Sequence, residues 1–427
     1  MRVDLSISNT DESCNCGIAT DYGGKREGHV GNMKDRKFLS IMQQPSEKQE
    51  QSESDDDSEP DHLLILVHGI LAKPGDWDYV KRKLMKRLGS KFLIHASAVN
   101  SFLNTLGGID HAGRRLASEI EQIAEKVPSL KRISIVAHSL GGLFARYAVT
   151  MMYTPKDDLT EDMYILEDLE RRGEEHPVFR RRREPKIAGL EAVNFITLAS
   201  PHLGVRGKKQ LPFLFGVPVL EKLAAPIAPF VVGRTGKQLF LTDGKASDPP
   251  LLLRMASDCP EGLFISALRA FKSRVVYANV SYDHLVGWRT SSIRRECELS
   301  KPPRASIDGR YKHVVNVSYS PAVDSDAPSF QQESAQGKAA AQVSPSSKKA
   351  AAYHDMLEEE MVRGLQQVSW RKVDVSFHAA LWPFNHMSHN AGIVMDKRFH
   401  FEGTGVVAHL ADTLAQQEQN VFIAASL

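Results

Sequence analysis

The chain has 427 residues, of which 42% are apolar, 25% charged and 7% aromatic. That apolar share suffices for a large buried core, so the chain is not disordered throughout. Lys plus Arg number 54 against 52 Asp plus Glu, a formal charge of +2, and this near balance argues against nucleic acid as the main partner, because phosphate binding needs a clear basic excess.

Residues 1–60 are polar, end in an acidic run from Ser46 to Asp61, and carry no apolar stretch of the kind that begins a secretory signal. They read as a disordered segment. Four cysteines cannot form a disulfide framework and read as reduced thiols of a cytoplasmic compartment. Cys14 and Cys16 are too few for a zinc site, and no metal is expected.

From residue 61 strands alternate with helices. His62 to Val67 is a short, continuous apolar run, the mark of a strand buried on both faces. A helix follows over Asp76 to Leu88, with Trp77, Val80, Leu84 and Leu88 on one side, then a strand over Phe92 to Val99. Gly108 to Val127 is a long helix with Ile109, Leu116, Ile120 and Ile123 inward. Ile133 to Ala137 is a third strand, and Leu143 to Met152 a helix. Further strands are expected at Ala192 to Leu198, Val275 to Val280 and Val373 to Phe377, and a last helix at Gly405 to Gln416. This alternation implies right-handed crossovers and a mostly parallel, doubly wound α/β sheet over residues 61–420. Two insertions interrupt it. One, at about 200–272, sits where a lid would be; the other, at about 320–350, is rich in Ser, Ala, Gln and Lys, lacks apolar periodicity and reads as disordered.

The segment Ala137-His138-Ser139-Leu140-Gly141-Gly142 places a serine between an apolar strand and a helix, among small residues. A nucleophile elbow is built this way, because its serine sits on a strained turn at the sheet's carboxyl edge. Ala137 stands where the pattern has glycine. The plainer reading is a serine that caps the helix. Such an elbow needs two main-chain donors for an oxyanion. Leu140 follows the nucleophile, and Ile70 follows His68-Gly69 at the end of the first strand. His68 itself reads as a brace for that loop.

Taken in order, VHGILAKPGDW, AHSLGG and TLASPHLG resemble the family of putative serine esterases, lipase-like α/β-hydrolases of plants and fungi whose fungal members are similar to monoacylglycerol lipases. The resemblance covers about residues 61–420 without the Ser/Ala-rich insertion. It implies an α/β-hydrolase fold with a serine nucleophile and no cofactor.

In this fold the acid and the histidine follow the serine in that order. Asp283 stands just beyond the strand at Val275 to Val280, whereas Asp243, Asp248 and Asp258 lie in the first insertion without a buried strand before them and read as solvated loop charges. His386 and His389 both lie on the loop after the last strand, and spacing does not separate them; His378 reads as part of the strand. The resemblance points to His389, in the dipeptide His389-Asn390.

The run Leu211 to Val232 is apolar, broken by prolines and flanked by Lys208, Lys209, Arg234 and Lys237. It reads either as a cover over an acyl pocket or as an interfacial segment at a membrane or lipid-droplet surface. The arginines at 171, 172 and 180–183 read as a solvated loop. The expected activity is hydrolysis of a lipid ester by Ser139, His389 and Asp283. The alternatives are an acyl-protein or acyl-CoA thioesterase and a non-catalytic lipid-binding scaffold on a hydrolase fold.

Overall fold

The structure, a computed structural model, describes residues 59–156, 184–205, 233–245, 248–301, 305–341, 350–381 and 384–426. The expectations for residues 1–58, the arginines at 171, 172 and 180–183, and the run Leu211 to Val232 fall outside these residues. Residues 57–427 belong to one compact unit.

Among the described residues a nine-stranded sheet forms the centre. In chain order come β1 (His62–Val67), α1 (Asp78–Leu88), β2 (Phe92–Ala96), α2 (Ile109–Lys126), β3 (Arg132–His138), α3 (Gly141–Met151), the short strands β4 (Tyr153–Thr154) and β5 (Lys186–Ile187), and β6 (Leu190–Leu198). The first insertion contributes α4 (Gly233–Leu239), α5 (Leu251–Arg254), the hairpin β7 (Asp258–Cys259) and β8 (Gly262–Leu263), and α6 (Phe264–Arg269). Then follow β9 (Ser273–Asn279), α7 (Trp288–Ser292), β10 (Val314–Ser320), α8 (Pro328–Ala341), α9 (Ala350–Leu365), β11 (Trp370–Val375), α10 (Ser388–Ala391) and α11 (Thr404–Ser426).

The main strand order is β10-β11-β9-β6-β3-β1-β2. All neighbours are parallel except the edge pair β10–β11. The six strands expected from the sequence are therefore the six parallel ones. Their side chains alternate between two cores: Leu63, Ile65 and Val67 of β1 join one, Leu64 and Leu66 the other. A strand buried on both faces has no polar face to show, which is why β1 reads as an unbroken apolar run. On one face α2 buries Ile109, Leu116 and Ile120, and α3 is buried along nearly all its length. On the other, α1 and α11 pack through Val80, Leu84, Val406, Val407 and Leu410.

Two local expectations are corrected, and one strand was not expected. Strand β11 ends at Val375, so His378 lies on the following loop. The antiparallel edge strand β10 lies at the border of the Ser/Ala-rich stretch; only its first two residues are buried, so no long apolar run marks it. Part of that stretch is ordered: α8 packs on α9, where the buried Ser334 hydroxyl donates to Glu360 at 2.6 Å and Arg363 pairs with Glu333 at 3.1 Å. These contacts are polar, and an apolar period is blind to them.

Candidate active site

Ser139 occupies the turn between β3 and α3 with φ 54°, a left-handed conformation that costs an L-residue about 1–2 kcal/mol. Its amide donates to the Leu198 carbonyl of β6 at 2.8 Å, fixing the turn against the neighbouring strand. The small residues around it follow from close approach. A β-carbon on Gly69 would lie 2.8 Å from Ser139 Cβ and 3.2 Å from its Oγ, and one on Gly141 2.5 Å from the His68 carbonyl oxygen. A β-carbon on Gly142 would run into the hydroxyl of Ser200. The third motif, Thr197 to Gly204, thus forms the floor beneath the start of α3. There His202 bonds Thr197 at 2.8 Å, and the buried Arg146 of α3 donates to the His202 carbonyl at 3.1 Å and to that of Met255 at 2.9 Å. Ala137 is fully buried, so its methyl group fits where the pattern has glycine.

The Ser139 hydroxyl lies 2.9 Å from His389 Nε2, and His389 Nδ1 lies 3.1 and 3.0 Å from the two oxygens of Asp283. With Nδ1–H donating to the carboxylate, Nε2 is the acceptor for the serine proton. Asp283 is fixed in turn. One oxygen accepts the amides of Leu285 and Val286 at 3.0 and 2.9 Å, and the other accepts Asn279 Nδ2 at 2.9 Å. Burial pushes its carboxyl up, but the His389 charge and the hydrogen bonds from His389, Asn279 and Val286 outweigh that and hold its pKa below the usual value.

The residues that hold this line escaped the sequence reading. Asn279, the last residue of β9, also reaches the Ser388 carbonyl at 3.3 Å. His138, inside the nucleophile motif, donates from Nε2 to the carbonyl of His389 at 2.8 Å. Burial, aided by the nearby His389, pushes the His138 pKa down to about 3 and keeps it neutral. The only available signals were position: four residues before Asp283, and one before Ser139.

His386 does not approach Ser139. It is exposed and stacks on His284, with ring centroids 5.0 Å apart and 2.7 Å between Nδ1 and Nε2. His378 meets the Tyr282 hydroxyl at 3.1 Å. Tyr282 and His284 flank Asp283, so both contacts tie its loop to the loop that carries His389. His68 is buried with Nδ1 3.2 Å from the Gly69 carbonyl oxygen, as a brace would be. The carboxylates set aside in the first insertion serve their own loops, though not all are solvated: Asp243 is partly buried and accepts the Leu251 amide at 3.0 Å, and Asp258 accepts that of Ile265 at 2.8 Å. Neither the Ile70 nor the Leu140 amide has an acceptor among the described residues. They stand beside Gly69 and Ser139, where a developing oxyanion could take both.

Putative lipase C4A8.10 of Schizosaccharomyces pombe is 27% identical over 245 residues, 55% of this chain and 26% of that protein. Putative lipase ROG1 of Saccharomyces cerevisiae is 30% identical over 238 residues, 54% of this chain and 28% of that protein. The chain thus aligns with less than a third of the length of either relative. Among solved structures, the mature lipase BlEst2 of Bacillus licheniformis is 16% identical over 43% of this chain and 56% of that chain, with a TM-score of 0.24; the fold assignment rests on the sheet order and the turn at Ser139 instead. A family model described as "Putative serine esterase (DUF676)" matches residues 57–298, which hold the sheet from β1 to β9, Ser139 and Asp283, and the chain belongs to that family.

Proposed function

We propose that the protein is a serine hydrolase of lipid carboxylic esters, with acylglycerols or related lipids as its substrate class. The observation that carries this reading is the unbroken hydrogen-bonded line from Ser139 through His389 to Asp283, set on a serine with φ 54°. In the proposed reaction Ser139 Oγ attacks the ester carbonyl while its proton passes to His389 Nε2. The carbonyl oxygen gains the negative charge and accepts hydrogen bonds from the Ile70 and Leu140 amides. Collapse breaks the bond to the leaving alkoxide, which takes the proton from Nε2 and departs as the alcohol, leaving an acyl-serine. Water then attacks that ester by the same route and releases the acid. Asp283 keeps the imidazole in the required tautomer and stabilises the imidazolium.

Two features support an apolar acyl substrate. The relatives are described as putative lipases. Large apolar side chains also stand exposed on loops after four parallel strands: Leu71 after β1, Phe102 and Leu103 after β2, Leu285 after β9 and Leu381 after β11. Those loops share the sheet's carboxyl edge with Ser139. An apolar rim there favours acyl chains and a peripheral contact with a membrane or lipid-droplet surface.

The test is a substrate panel on purified wild type and Ser139→Ala: a short soluble ester, an emulsified long-chain monoacylglycerol and a long-chain acyl-CoA. Hydrolysis of the monoacylglycerol, lost in Ser139→Ala, is the expected result. Turnover of acyl-CoA alone turns the assignment to a thioesterase. Folded wild type that hydrolyses none of the three turns it to a lipid-binding scaffold.

A further inference from the structure

The loop that bears Ile70 is held by hydroxyl groups that come from outside it. Leu71 has φ 53° and Phe102 φ 52°, conformations that bulky side chains adopt only when the surroundings impose them. Both side chains are more than half exposed, at 52% and 56%, so their own packing does not hold the strained backbone. Thr105 does. It is fully buried, and its Oγ1 accepts the Leu71 amide at 3.0 Å while donating to the Phe102 carbonyl at 2.6 Å. The Phe102 amide returns to the Ala72 carbonyl at 2.9 Å. One hydroxyl thus locks the loop after β1 to the loop after β2, one residue from Ile70.

Thr105 is held in turn from α4, far away in sequence. The buried Thr235 Oγ1 donates to the Thr105 carbonyl at 2.7 Å and accepts the Gly108 amide at 3.0 Å. Beside it Gln238 accepts the Ile109 amide at 2.6 Å and donates to Asp110 at 2.9 Å, and Arg234 reaches Asp110 at 2.7 Å. Helix α2 has no side-chain cap of its own at Gly108; α4 supplies the missing acceptors. The first turn of α2 therefore fixes α4, α4 fixes Thr105, and Thr105 fixes the Leu71 amide.

We propose that Thr105 is a positioning residue for the oxyanion-binding amide of Ile70, and that Thr235 sets Thr105, so that the seating of α4 controls the geometry of the oxyanion loop. This rests on the reading of the protein as a serine hydrolase. A donor that stabilises charge only in the transition state acts on kcat more than on KM. Removing such a donor outright costs about 100–1,000-fold in kcat, and loosening it costs less.

The experiment compares Thr105→Val, Thr105→Ser and Thr235→Val in the full chain, by steady-state hydrolysis of a soluble ester and by hydrogen exchange of the amides of residues 69–72. The expected result for Thr105→Val is a kcat about 10–100-fold lower with KM changed less than about threefold, together with faster exchange at Leu71. Thr105→Ser restores both, and Thr235→Val gives the same pattern, weaker. Wild-type exchange at Leu71 in Thr105→Val overturns the tether, as does equal loss of kcat in the Val and Ser variants, which marks a packing defect. Should Thr105→Val not fold, Thr235→Val against Thr105→Ser carries the same comparison. If wild type hydrolyses no ester, the hydrolase reading fails by itself, and exchange at Leu71 still decides the tether.

Discussion

Ser139 and the pair formed by Asp283 and His389 are held by different means. The serine sits in one contiguous piece of chain. Strand, turn and helix follow within a few residues, and the close contacts that dictate Gly69, Gly141 and Gly142 are with main chain or small side chains. Asp283 lies on the loop after β9 and His389 in the short helix α10 after β11, 106 residues apart, and they meet through polar side chains. Asn279 bridges the two loops, His138 reaches over from the nucleophile strand, and the contacts Tyr282–His378 and His284–His386 tie the rim. Steric necessity leaves a pattern of small residues that can be read locally. A polar network between distant loops leaves only single residues with no period.

The sharpest way to break this comparison is at the histidine, because the two candidates differ in contact and not in spacing. His389→Ala should lower kcat by about three orders of magnitude or more. His386→Ala, which loses exposed contacts with His284 and Tyr282 and none with Ser139, should stay within about tenfold of wild type by the usual cost of a neutral hydrogen bond. The reverse order would show that the loop rearranges when substrate binds.

The next effect is at Asn279. Replacing it by Ala removes one donor to the Asp283 carboxylate and the bridge to Ser388. Hydrogen bonds to a charged group contribute about 1.5–3 kcal/mol, so kcat should fall by about 10–100-fold with KM little changed. An unchanged kcat would mean that the Leu285 and Val286 amides alone hold the carboxylate.

His138 sharpens the comparison through pH. Its native pKa of about 3 lies below the value of about 6.5 for an unfolded chain. Its contribution to stability is therefore whole above about 6.5 and is lost as the pH falls toward 3, because the unfolded chain takes up a proton that the native site refuses. At pH 5 the loss is about 2 kcal/mol. Asp283, with its pKa below the usual value, adds a loss of the same sign at lower pH. His138→Gln keeps an N–H for the His389 carbonyl but does not titrate, so its thermal midpoint should fall less than that of wild type between pH 7 and pH 5. Equal slopes would show that the ring is not held neutral.

These outcomes bear on how far the chain could be read unaided. The six parallel strands and the sharp turn at Ser139 were legible because burial and steric closeness write themselves into apolar residues and small residues, and Asp283, which meets His389, was legible from its place just beyond a buried strand. The choice of His389 over His386 was not legible from spacing, since both lie on one loop; the resemblance supplied it and the hydrogen bond to Ser139 agrees. Asn279, His138 and Thr105 were missed because each acts through one polar contact across the fold. Helix α8 was missed for a related reason: it meets α9 through Ser334, Glu360, Glu333 and Arg363. Replacing residues 322–349 by a short linker should cost only about 1–2 kcal/mol, a fall of about 2–8 °C in the thermal midpoint. No change at all would return that stretch to the disordered class.

The most direct test of the central claim, that Ser139 is a nucleophile activated by His389 and Asp283, is labelling of the purified protein by a fluorophosphonate, with the modified peptide identified by mass spectrometry. The account predicts one adduct per chain, on Ser139, formed far more slowly in His389→Ala and absent in Ser139→Ala. Folded wild-type protein that takes up no label, or an adduct on another serine, would contradict it.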